Sequence, residues 1–335
     1  MVVDDIPLPA LIGDIGGTNA RFALIEQASP TIMRFPDEHT AYHATIEDAI
    51  ELVLAKADRR PRSALLALAG PIAGDAVQLT NSGWKVVPRQ LIARFGLAEV
   101  VLLNDFEALS LSLADLLPSD LDRIGSGTAL PERARIVLGP GTGLGAGALI
   151  HARGTWIPIP GEGGHIDLGP VTPRDMAIWP HIEWSGGRVS AETLLCGPGL
   201  VRLYRAVAAI NGAVATLTTP ADVTTAGLAG SDTSAAEAVQ LFATYLGRVA
   251  SDLALVFIAL GGVYLAGGIS GRIAPALKTG AFREAFVDKF PHRGLLERMP
   301  TAIITKPDAA LAGIAAFARS PSRFGVELAG RRWSG

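Results

Sequence analysis

Hydrophobic positions recur along this chain with two periods that alternate from one end to the other. Short apolar runs bounded by glycine predict strands at 10–15, 21–26, 65–69, 100–103, 135–138, 145–150, 263–266 and 302–305. Apolar residues at helical spacing predict helices over 45–57, 106–117, 191–209, 235–258, 272–277 and 308–318. Strand and helix in alternation mean an α/β chain with mixed sheets. Two strands run into glycine-rich turns, LIGDIGGTNARFALI from Leu11 to Ile25 and IVLGPGTGLGAGALI from Ile136 to Ile150. They align without a gap at an offset of 136 − 11 = 125, each apolar, then glycine-rich, then apolar. The same hairpin is expected twice.

Between the hairpins lies the polar stretch LPSDLDRIGSGTALPERAR, Leu117 to Arg135, which marks the expected domain seam. The stretch from Leu217 to Ala236, rich in Thr, Ser, Gly and Pro, reads as a surface loop ahead of a long helix. From Ser320 onward the chain is polar, basic at its GRR, and expected to fray. One apolar run, Leu253 to Ile269, approaches the length of a membrane-spanning helix. Its two Gly-Gly pairs divide it into a helix end, a short strand and a turn.

Composition narrows the picture. At 335 residues the chain exceeds what one core usually organises, so two domains are expected. A net charge of −3 supplies no broad basic field for nucleic acid or an anionic membrane, which points to a small ligand. The single cysteine, Cys196, excludes an internal disulfide and a zinc site of several thiolates, and it fits a reducing cytoplasm. The start, MVVDDIPLPALIGD, lacks the basic and apolar regions of a secretory signal, so export by that route is not expected.

Candidate chemistry centres on the turns. Glycines there can take positive φ and bring backbone N–H groups close to phosphate oxygens, and two such turns facing one another across a cleft would hold a polyphosphate. Asp14 sits at the inner end of an apolar strand, where a carboxylate is costly unless a cation meets it. A magnesium ion carried by a nucleotide would serve, through its waters; a locally satisfied turn aspartate is the other reading. Gly141, Gly143 and Ala146 match a dinucleotide-binding spacing, but that motif must open a helix, and here the chain continues as strand. Asp105 follows Asn104 at a strand end, and it reads either as a base for a hydroxyl proton or as the N-cap of the helix beginning near Phe106. Glu162 and His165 share one glycine-flanked loop, and Glu192 lies in the first turn after Ser190. Trp84 reads as packing.

Eight blocks in order carry a family resemblance: GDIGGTNAR at Gly13, LTNSGW at Leu79, LLNDF at Leu102, GPGTGLG at Gly139, PGEGGHIDLGP at Pro160, RVSAETLLCGPGLVRLYRA at Arg188, YLAGGI at Tyr264 and FREAF at Phe282. Over nearly its whole length the chain resembles the bacterial glucokinases of the hexokinase, actin and heat-shock chaperone ATPase superfamily. The resemblance implies a two-lobed actin-like ATPase (ribonuclease H-like) fold, with duplicated mixed-sheet domains around a central cleft. A small lobe over 9–117 would be completed by a C-terminal helix at about 306–319, a large lobe would span 118–305, and 320–335 would be a tail.

It implies ATP-dependent phosphorylation of D-glucose to glucose 6-phosphate, with Asp105 as general base. By resemblance Asn104, Asp105, Glu162, His165 and Glu192 bind the sugar, and Asn81 and Gly70 shape its side of the pocket. Nucleotide would be held by Gly13, Asp14, Ile15, Gly16, Gly17 and Thr18, by Gly141, Thr142 and Gly143, and on the adenosine side by Gly267 and Gly268, with a helix starting after Gly271. Magnesium would meet Asp14 through water. The implied partners are glucose, ATP and a second copy of the chain as a homodimer, in the cytoplasm, with no nucleic acid and no membrane. One segment departs from the family: PRDMAIWPHIEWSGG, where Pro180 should break or kink a helix that relatives continue. A cysteine-bound zinc, used by related sugar kinases and repressors, is excluded by the lone Cys196. Two alternatives remain: a kinase for another hexose, such as fructose or mannose, or with another phosphate donor, and a non-catalytic sugar sensor. Against the sensor stand the Asn104–Asp105 pair and a first strand that begins too near Met1 for a basic helix-turn-helix extension.

Overall fold

The structure, a computed structural model, describes residues 5–27, 31–79, 82–184 and 186–335. Two compact units divide the chain: the first comprises 1–116, 149–160 and 307–335, the second 117–148 and 161–306.

In the first unit the strands Glu99–Asn104, Ser63–Leu68 and Ala10–Ile15 run parallel, in that order, and Asn19–Ile25 closes a hairpin antiparallel to Ala10–Ile15. The central strands are buried on both faces, so their sequence is continuously apolar rather than alternating. Period-two geometry still sorts the side chains. Leu11, Ile15, Leu66, Val100 and Leu102 meet the helices Ile46–Leu54 and Pro88–Phe95 in one core. Ile12, Leu65, Val101 and Leu103 meet the helices Asp105–Ser112 and Ala309–Arg319 in the other. Those two helices cross closely because Gly313 lies against the Ala108 carbonyl, where any Cβ would collide. Trp84 is buried in the first core and donates its ring N–H to the His43 carbonyl at 3.0 Å, so it packs, as expected.

The second unit repeats this order. Thr301–Ile304, Gly262–Leu265 and Arg135–Pro140 are parallel, and Leu144–Ala152 closes the antiparallel hairpin. Leu121–Arg123 extends the sheet at the edge beside Thr301–Ile304. The helix Thr233–Phe257 is packed by Gly197–Ile210, Pro220–Ala229 and Ala281–Val287, with Gly247 pressed against the Phe282 carbonyl. The apolar run 253–269 divides into the end of that helix, the strand Gly262–Leu265 and a short helix, and among the described residues no helix is long and apolar enough to cross a membrane.

Several expectations are corrected. The tail does not fray: Arg332–Ser334 pairs with Glu99–Val101 as an edge strand, and Trp333 is buried. Its basic residues are the reason, since Arg331 and Arg332 neutralise Glu107 and Glu99, acids that are almost fully buried. The expected loop at 217–236 contains the helix Pro220–Ala229, capped by the Thr219 side chain and ended by Gly230 at φ 68°. The seam at 117–135 is not a bare linker, because Leu121–Arg123 pairs with Ala302–Ile304. The helix expected over 191–209 is two, Ala191–Leu194 and Gly197–Ile210, restarted by the Cys196 cap. Residues 149–160, expected in the large lobe, belong to the first unit: the Gly325 N–H donates to the Trp156 carbonyl at 2.8 Å, and Trp156 packs against the second core of that unit.

Candidate active site

In the first hairpin the strand ends at Ile15, Gly16 to Thr18 form the turn, and the return strand begins at Asn19. In the second the strand ends at Pro140, Gly141 to Gly143 turn, and the return strand begins at Leu144. The offset of 125 residues holds at both turn boundaries. Gly16 N–H donates to the Asn19 carbonyl at 3.0 Å, and Gly141 N–H donates to the Gly143 carbonyl at 2.8 Å. Positive φ, expected of these glycines, is corrected: Gly16, Gly141 and Gly143 all lie outside that region. Only Gly143 among them requires the missing side chain, since a Cβ there would meet the Glu192 carboxylate. A Cβ at Gly13 would meet Leu66 at 2.7 Å, so Gly13 serves sheet packing, and Ile15 is likewise in the core.

Asp14 and Arg21 are register partners in the first hairpin, which puts both side chains on one face. Arg21 Nη1 donates to Asp14 Oδ2 at 3.2 Å, and Arg21 Nε lies 3.4 Å from Asp37 and 3.8 Å from Asp308. Arg34 pairs with the same Asp37 and Asp308. Three carboxylates thus share two guanidinium groups, one more acid than base. Burial pushes the Asp14 carboxyl above its ordinary range, against the pull of Arg21. Thr40 fixes the turn itself, its hydroxyl donating to the Gly17 and Thr18 carbonyls at 2.8 and 3.1 Å.

Asn104, not Asp105, is the N-cap of the next helix. Its side-chain oxygen accepts from the N–H groups of Phe106 and Glu107, and Glu107 reaches back to the Asn104 N–H, completing a capping box. The Asn104 amide also donates to the Gly70 carbonyl at 3.3 Å, and Gly70 stands at φ 118°, a conformation open to glycine. Asp105 is therefore the first residue of a helix whose entry is pinned from three sides, its Oδ1 accepting from the Phe106 N–H at 2.9 Å. Arg331 holds Glu107 from below, at 2.6 Å.

In the second unit three sequence blocks converge on one turn. Glu192 Oε2 accepts the Leu144 N–H at 2.7 Å, and Gly197 N–H donates to the Gly141 carbonyl at 2.9 Å. Gly164 lies against the Leu144 carbonyl so closely that no Cβ fits there. Glu162 and His165 flank this contact and are exposed, with Glu162 Oε2 3.8 Å from His165 Nε2. Arg188 donates to the His165 carbonyl at 2.9 Å and pairs with Asp167, joining the 162–167 loop to the segment that leads into Glu192. Ala266 N–H donates to the Leu138 carbonyl, and Gly267, at φ 80°, abuts the Pro140 carbonyl. The helix expected after Gly271 instead starts at Gly267, so Gly267 and Gly268 are its uncapped first turn, and both are exposed.

Pro180 does end a helix: Pro173–Ile178 gives way to a 3-10 turn over Trp179–His181. That segment is anchored by Asp175, which accepts from Tyr245, Arg248 and the N–H groups of Val171 and Thr172. Desolvation raises the Asp175 carboxyl, but the four donors outweigh it and hold it below the ordinary range.

Asp14, Gly16 to Thr18, Gly70, Asn104 and Asp105 lie in the first unit; Gly141 to Gly143, Glu162, His165, Glu192, Gly267 and Gly268 lie in the second. Asn81 lies outside the described residues. Sequence reasoning missed Arg21, Thr40, Glu107, Asp308 and Arg331. Glu107 was legible as the fourth position of an N-x-x-E capping box, whereas Asp308 and Arg331 come from chain ends that no local pattern connects to the site.

The family model described as glucokinase matches residues 11–321. The chain is 55% identical to the glucokinase of Rhizobium etli over 329 residues, 98% of this chain and 96% of that one. Against the glucokinase of Rhizobium meliloti the figures are 53% over 328 residues, 98% and 97%. Among solved structures, a glucokinase from an Antarctic psychrotroph superposes with a TM-score of 0.83 at 32% identity, covering 93% of this chain and 98% of that one. The fold is the actin-like ATPase fold that the sequence led one to expect.

Proposed function

The chain belongs to the glucokinase family, and from that premise we infer that it transfers the γ-phosphoryl group of ATP to the 6-hydroxyl of D-glucose, with Asp105 accepting the hydroxyl proton. The observation that carries the residue assignment is the pinned entry of the Asp105 helix. Phosphoryl transfer asks of a protein mainly alignment and charge compensation, and a base held at a rigid strand end loses little to misplacement. Asn104, the alternative cap, already has that role, so the helix does not depend on Asp105 to cap it.

In this reading the turns Gly16 to Thr18 and Gly141 to Gly143, with Gly267 and Gly268, bind the nucleotide, the Gly16 and Gly141 N–H groups closing the turns rather than meeting phosphate. Glu162, His165 and Glu192 orient the hexose, with Asn104, Gly70 and Asn81 on the same sugar. Asp14 suits a magnesium ion only as the cargo of the nucleotide: it is one carboxylate, and among the described residues no cluster of three or more ligating side chains exists. Bound there, the ion would offset phosphate charge. Arg21 keeps Asp14 oriented for it. The reading includes a homodimer and a cytoplasmic site of action, supported by the family alone; light scattering at micromolar concentration tests the former.

Asp105→Asn tests the base. Turnover should fall about a thousandfold while calorimetry shows glucose still binding. Unchanged turnover would remove Asp105 from the mechanism, and a panel of hexoses and phosphate donors with the parent protein decides the substrate range.

A further inference from the structure

The Gly141–Gly143 turn is held from outside its own strands by a residue assigned to the other ligand. Glu192 Oε2 accepts the Leu144 N–H at 2.7 Å. A Cβ at Gly143 would run into that same carboxylate, although the Gly143 backbone is one any residue can adopt. At Gly141 a Cβ would find nothing nearer than the Gly143 carbonyl at 4.0 Å. Among the described residues Leu144 is the hydrogen-bond donor to Glu192, which leaves Oε1 for a donor from outside the protein.

We propose that Glu192 is a positioning residue that couples the two ligands: Oε2 holds the phosphate turn while Oε1 receives a sugar hydroxyl, so each ligand raises the affinity for the other. The inference rests on the sugar role of Glu192 given under Proposed function. Its physical basis is that one carboxylate is held at both ends: Leu144 already fixes Oε2, a hydroxyl on Oε1 would tighten the same group, and a phosphate on the turn would tighten it from the Leu144 side. Linkage makes the effect reciprocal, the same factor appearing in both directions.

The experiment is calorimetric titration of a non-hydrolysable ATP analogue with and without glucose, and of glucose with and without the analogue. The parent protein should show a mutual enhancement of about fivefold or more. In Glu192→Ala the factor should fall to one, and analogue affinity without sugar should drop about tenfold, the loss expected for a charge-assisted hydrogen bond. Gly143→Ala should weaken glucose about fivefold in the absence of nucleotide, because its Cβ displaces the carboxylate, whereas Gly141→Ala should weaken the analogue and leave glucose unchanged. Retention of the coupling factor in Glu192→Ala, or equal glucose affinities in the two glycine variants, overturns the proposal. Should Glu192→Ala fail to fold, the glycine pair decides. A parent protein that binds no glucose would overturn the sugar reading and the coupling with it. Hydrogen exchange at the Leu144 amide, slow in the parent and fast in Glu192→Ala, reports the hydrogen bond independently of any sugar.

Discussion

Where the first hairpin carries Asp14 the second carries Gly139, and where the first carries Arg21 the second carries Ala146, both at the shared offset of 125 residues. The first hairpin brings its own charge and braces it across the strands. The second is free of charge at those positions and borrows a carboxylate, Glu192, from a helix more than forty residues on, the separation being 48. Smallness is what the second hairpin offers instead. A Cβ on Gly163 would lie 3.0 Å from the Ala146 methyl, and Gly164 sits on the Leu144 carbonyl, so the loop bearing Glu162 and His165 packs directly onto the hairpin. A duplicated turn has thus diverged into one that handles charge and one that receives another loop.

The largest effect expected from that difference is at Gly164. Gly164→Ala forces the loop off the Leu144 carbonyl and should cost about 3 kcal/mol in urea unfolding. Gly16→Ala in the first hairpin, where the nearest atom would be 3.4 Å away, should stay within about 1 kcal/mol. Equal costs would mean that the two turns are equally crowded and the contrast is lost.

An intermediate effect is expected at Asp14. Asp14→Asn should raise the KM for Mg-ATP about tenfold, the worth of one charge-assisted contact. Arg21 keeps Asp37 and Asp308, so the fold should survive the change. A change below twofold would show that charge is not what the first hairpin adds.

The smallest effect is in pH. The Asp14 carboxyl is raised in the folded state, so its ionisation weakens folding: the favourable contribution is complete below the ordinary value of 3.8 and is lost as pH rises through the folded value. Asp14→Asn should therefore melt about 2 °C higher than the parent at pH 7, an advantage that fades as pH falls toward 3.8. Asp175 has the opposite sign. Its lowered carboxyl stabilises the fold above 3.8 and ceases to do so as pH falls through the folded value. Acid unfolding below that pH should persist in Asp14→Asn and flatten in Asp175→Asn, followed by thermal melts across the series. The pairing teaches a distinction among buried carboxylates: one with four donors is a structural knot, and one that shares its cations with other acids is still open to a ligand.

The repeated hairpin, its turn length, the alternation of strand and helix, and the Asn104–Asp105 strand end were all legible in the residues, because each is set by local periodicity and by where glycine interrupts it. Period and punctuation act within a dozen residues, and so can be read from a dozen residues. Which glycines need φ above zero and which need only an absent side chain was not legible. Gly143 and Gly164 look alike in sequence and are explained by Glu192 and Leu144, neighbours that only the folded chain supplies. The tail looked loose because its arginines seemed solvated; folding places Arg331 and Arg332 over two buried acids and makes the tail an edge strand. Charge compensation of this kind depends on distances through space, and those are decided only when strands far apart in sequence become neighbours.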